Sequence, residues 1–125
     1  MKKSNILKEI IFLPEKFNNE NNELSFYTLL KNTGYIDYYK EISENDIALV
    51  ISNNLVCIEY WLQWSEDKRG SSGWYFLKKN QYLYEVNKIG SKTKINNFFI
   101  NSLNACSHFI KKEIDDIICS GNSTE

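Results

Sequence analysis

The chain has 125 residues, 42% hydrophobic and 25% charged, which is enough apolar material to bury a core without disulfides or metal and too much for a disordered polymer. Basic and acidic residues number 15 and 16, for a formal net charge of -1. No molecule-wide field draws in nucleic acid, so any electrostatic recognition has to be local.

In chain order, Ile6, Leu7, Ile10 and Ile11 recur at helical spacing, predicting a short amphipathic helix that ends before Pro14. Lys8 and Glu9 interrupt what would otherwise start like a signal peptide, and no stretch nears the ~20 apolar residues of a membrane span. A cytoplasmic protein is expected. Asn18–Asn22 reads as a polar loop, and Leu24 to Asn32 as a second helix stopped by Thr33 and Gly34. Tyr35, Tyr38 and Tyr39 make the following connection too aromatic for a free linker.

Ser43 is a good N-cap, with Glu44 and Asp46 placing negative charge in the first turn. From there Ile47, Val50, Ile51, Leu55, Ile58 and Leu62 step by three or four. That spacing predicts one helix from Ser43 to Trp64. A strand over Leu55–Trp61 is the competing reading, and Asn53-Asn54 is a place where the helix can end early. After Gly70 and Gly73 the period changes. Trp74–Lys78 and Gln81–Val86 read as a β-hairpin turning at Lys79-Asn80, with Trp74 and Phe76 on one face and Tyr82, Tyr84 and Val86 on one face of the partner strand. Two strands alone are marginal in water, so the hairpin must lie on helices. Ile95, Phe99, Leu103, Cys106, Ile110, Ile114 and Ile117 then predict a last helix from Lys94 to Ser120, with Asn122–Glu125 frayed. The fold class expected is α+β: a mainly helical single domain over residues 1–125 with one hairpin packed on the helices.

Chemistry has few places to reside. Cys57, Cys106 and Cys119 show no metal-ligand spacing, His108 is the only histidine, and reduced structural cysteines are expected. Cys106 and His108, two apart on a helix, point about 200° away from each other and make a poor nucleophile–base pair; His108 is expected to face solvent. Carboxylate pairs for acid–base work are Glu59 with Glu66 or Asp67, and Glu113 with Asp116. They need burial or mutual proximity to separate their pKa values. The Gly70–Gly73 turn leads into a strand and lacks a P-loop lysine. No cofactor or metal is expected.

The densest feature is Glu59–Phe76, which holds all three tryptophans, the run Glu66-Asp-Lys-Arg69 and the only arginine. Stacking of nucleic-acid bases on Trp61, Trp64, Trp74 and Tyr75 would need a basic stripe that Glu66 and Asp67 offset. Protein recognition by aromatics and Arg69 fits better. Trp61 and Trp74 read equally as core, and Arg69 as a corner clamp on Glu66 or Glu59.

Trp64-Ser-Glu-Asp-Lys-Arg69, Ser71-Ser-Gly-Trp-Tyr-Phe76 and Ala105-Cys-Ser-His-Phe-Ile-Lys-Lys-Glu-Ile114 resemble segments of small bacterial immunity proteins, the antidotes of contact-dependent growth inhibition and related polymorphic toxin systems. The resemblance covers Ile47 to Ile118. It implies a non-enzymatic inhibitor that binds the toxic C-terminal domain of a cognate effector, often a nuclease, in a 1:1 complex, with no direct contact to nucleic acid or membrane. A nuclease cleft is electropositive, so an acidic patch is expected to meet it. The near-neutral overall charge departs from a strong nuclease mimic and leaves shape-based or off-site blocking open. Candidate partner-binding residues are Trp64, Glu66, Asp67, Arg69, Tyr75, Asp115 and Asp116. The alternative is a small-ligand or regulatory module with an aromatic pocket between Trp61, Trp74 and Tyr82.

Overall fold

The structure, a computed structural model, describes residues 2–19, 25–67, 73–88 and 98–124. Helices α1 (Lys2–Ile11), α2 (Leu13–Asn19) and α3 (Phe26–Asn32) are followed by a 3-10 turn, Tyr35–Asp37. Then come α4 (Glu44–Ile51), α5 (Val56–Asp67), strands β1 (Trp74–Asn80), β2 (Leu83–Lys88) and β3 (Phe98–Phe99), and the long α6 (Ser102–Thr124). The strands form one antiparallel sheet in the order β1-β2-β3. Fold class is α+β and mainly helical, in a single domain, as the periodicities predict.

One core joins every layer. Ile10, Ile11, Leu13, Leu30, Tyr35, Ile47, Ile51, Trp61, Phe76, Val86, Phe109, Ile110 and Ile114 are buried together, and α6 packs against α3, α4, α5 and the sheet. The aromatic connection after α3 is core: Tyr35 is fully enclosed. Gly34 makes the turn there possible, because its φ of 87° is left-handed backbone that other residues adopt only with strain. Cys57 and Cys106 lie in the apolar interior as free thiols.

Five expectations change. The helix from Ser43 to Trp64 is two helices, since Ser52–Leu55 breaks it. Ser52 Oγ donates to Leu49 O at 2.5 Å and Asn54 Nδ2 to Val50 O at 3.0 Å, so polar side chains take the carbonyls the next turn would use. Asn54 N–H tightens onto Ile51 O at 2.7 Å, and Leu55 leaves the apolar stripe to stand 60% exposed. The N-terminal reading of this segment holds: Ser43 and Asp46 make a reciprocal capping box.

The last helix starts at Ser102, not Lys94, and continues to Thr124 through the tail expected to fray. Asn101 caps it, its Oδ1 accepting from Leu103 N–H at 2.8 Å and Asn104 N–H at 3.2 Å. Phe99, taken for part of the helical stripe, sits instead in β3 opposite Tyr84; Ile95 lies outside the described residues. The hairpin turns at Gln81-Tyr82 rather than Lys79-Asn80, where Asn80 Oδ1 accepts from Tyr82 N–H. Tyr82 consequently points to solvent, while Phe76, Tyr84 and Val86 keep the expected inward face. Asn18 and Asn19 belong to the end of α2, with the rest of the expected polar loop outside the described residues. Finally, His108 does not face solvent. Its side chain is 16% exposed, its Nδ1 lies 2.9 Å from Glu44 Oε2, and Trp74 and Phe99 flank its ring.

Candidate functional site

Helix α5 organises the segment that stood out in the sequence. Its inner face buries Cys57, Ile58, Trp61 and Ser65. Trp61 donates its indole N–H to Ile11 O at 2.9 Å and meets Phe26 and Phe109 edge to face. Trp64 stacks on Phe26 with centroids 4.1 Å apart, meets Phe17 edge-on, and donates to Glu113 Oε2 at 3.2 Å. Ser65 Oγ accepts from Phe76 N–H at 2.7 Å.

Glu113 explains why this corner holds. Its carboxylate is buried in α6, yet one oxygen takes Trp64 and the other takes Trp74 N–H at 3.1 Å. Trp74 and Phe76 are alternate residues on the strand edge turned away from β2, so Glu113 and Ser65 satisfy two amides that an edge strand would otherwise leave unpaired. A buried carboxylate with such donors is structural chemistry. Glu113 therefore replaces the pairing with Asp116 considered from sequence: Asp116 points to Lys88, 3.8 Å away.

Two further polar clusters tie elements together. On the outer sheet face, Glu85 is buried and accepts from the Tyr75 hydroxyl, from Asn87 Nδ2 at 2.9 Å, and from Lys79 at 3.3 Å. Burial alone would raise the Glu85 pKa, but the Tyr75, Asn87 and Lys79 donors outweigh it and hold the carboxyl below its usual range. Burial, then the Glu85 hydrogen bond, pushes the Tyr75 hydroxyl up. The sign is fixed: a depressed carboxyl adds stability that is present above its unfolded value, near pH 4, and lost as pH falls through the folded value. Thermal melts between about pH 7 and 3 are expected to show stability dropping below roughly pH 4, and Glu85→Gln to flatten that drop. An equal acid response in the variant would assign it elsewhere.

At the other cluster, the Tyr35 hydroxyl donates to Asp115 Oδ1 at 2.5 Å, and Lys111 Nζ reaches Tyr35 Oη at 2.7 Å, Tyr39 O at 2.6 Å and Asp115 at 3.3 Å. Burial and the Asp115 carboxylate push the Tyr35 pKa far above the ordinary phenol range. This clamp fastens the turn after α3 to α6. Burial also raises the thiols, Cys57 to about 12 and Cys106 well above its ordinary value, so both stay protonated and unreactive near neutral pH.

The seven sequence candidates thus divide. Trp64, Tyr75 and Asp115 serve the scaffold, Asp116 lies beside Lys88, and Arg69 lies outside the described residues. Glu66 and Asp67 are exposed in the last turn of α5, with Gln63 Nε2 bonded to Asp67 at 2.9 Å. Glu66 borders an open groove of about 560 Å3 between α5 and β1, lined by Glu59, Leu62, Gln63, Glu66, Leu77 and Lys78. Helical spacing puts Glu59, Gln63 and Glu66 on one outward stripe. In the sequence Glu59 reads as half of a carboxylate pair or as a clamp partner for Arg69, not as a contact residue; Leu77 was missed, although its alternation with Phe76 marks it as outward. Trp61, Trp74 and Tyr82 form no shared pocket, because Trp61 is enclosed and Tyr82 is 73% exposed at the hairpin turn. Among the described residues, no group of three or more His, Cys, Asp or Glu side chains is placed to hold a metal ion, and no helix is long and apolar enough to cross a membrane. No family model, no curated protein and no solved structure matches this chain.

Proposed function

We propose that the chain is an immunity-type inhibitor that neutralises a toxin domain, a nuclease in the leading case, by binding it through the outward face of α5 and the adjoining groove. One observation carries the reading. Helix α5 presents Glu59, Glu66 and Asp67 outward and has no basic residue along its length. Glu66 and Asp67 occupy the C-terminal turn, where the helix dipole disfavours negative charge. An acidic stripe of this kind is complementary to a basic partner surface. Leu62 and Leu77 add apolar contact beside them.

Other features fit an inhibitor better than a catalyst. The buried carboxylates Glu85 and Glu113 are occupied by donors from the scaffold, and the enclosed thiols are unreactive. The aromatic-pocket alternative loses support with the separation of Trp61 and Tyr82.

The test is co-expression with the toxin domain of a neighbouring effector gene. Growth rescue together with co-purification of the two chains supports the proposal. Failure of both at micromolar protein removes it, as does turnover of any substrate by the purified chain alone.

A further inference from the structure

We draw no further inference here: the strongest candidate, the apolar surface patch at the break between α4 and α5, where Leu49, Leu55 and Val56 stand exposed, carries nothing because nothing in the structure shows what covers it.

Discussion

Glu113→Ala is expected to destabilise the protein by about 3 kcal/mol, since it strands the Trp64 and Trp74 N–H donors in a buried corner. In a domain of this size that lowers the melting temperature by roughly 10 °C. Glu113→Gln keeps an acceptor oxygen for one of the two donors and is expected to cost about half as much. Tryptophan fluorescence should report the loosened Trp64 environment before global unfolding. A Glu113→Ala melt within about 2 °C of native would mean that the corner is held by something other than this carboxylate.

Trp61→Ala carries the other large effect, about 3–5 kcal/mol. The indole is fully enclosed, touches rings on α3 and α6, and supplies the donor for Ile11 O at the end of α1. One side chain thus links four helices. Trp61→Phe retains much of the packing but leaves that carbonyl unpaired, for a cost of about 1–2 kcal/mol. Urea titration separates the variants. Near-equal midpoints for native and Trp61→Ala would contradict an interior role.

These two predictions turn on what the segment Glu59–Phe76 is for. In sequence it resembles a recognition surface because tryptophans, tyrosine and charges are crowded together. In the fold Trp61, Trp64 and Phe76 point inward, Tyr75 lies on the outer sheet face with Glu85, and Glu113, some fifty residues along the chain from Trp64, ties Trp64 to the start of β1. Such a pairing has no local signature, since a glutamate on an amphipathic helix ordinarily faces water. The same holds for His108, whose cover comes from Trp74 on β1 and Phe99 on β3.

Local signals served better. The Ser43/Asp46 box, the glycine stop after α3, the enclosed Tyr35 and the inward set Phe76, Tyr84 and Val86 follow from capping, backbone conformation and alternation. The break at Ser52–Leu55 escaped because Leu55 keeps helical step across it. Side-chain bonds from Ser52 and Asn54 decide that geometry, and they are worth only about 1 kcal/mol each. The β3 strand is two residues long and Phe99 happens to continue the spacing of α6, so period alone cannot separate them. Of the partner-binding candidates, Glu66 and Asp67 are the pair left exposed at the end of α5, and the charge run beside the tryptophans is what marked them in the sequence.

The claim at the centre is that the outward carboxylates of α5 recognise the partner while the aromatic corner behind them only holds the fold. Isothermal titration of the toxin domain with the native chain and with Glu59→Lys/Glu66→Lys tests it most directly. Sub-micromolar 1:1 binding by the native chain, weakened at least ~100-fold in the variant with the fold retained by circular dichroism, is the expected result. Equal affinity for both proteins would contradict it.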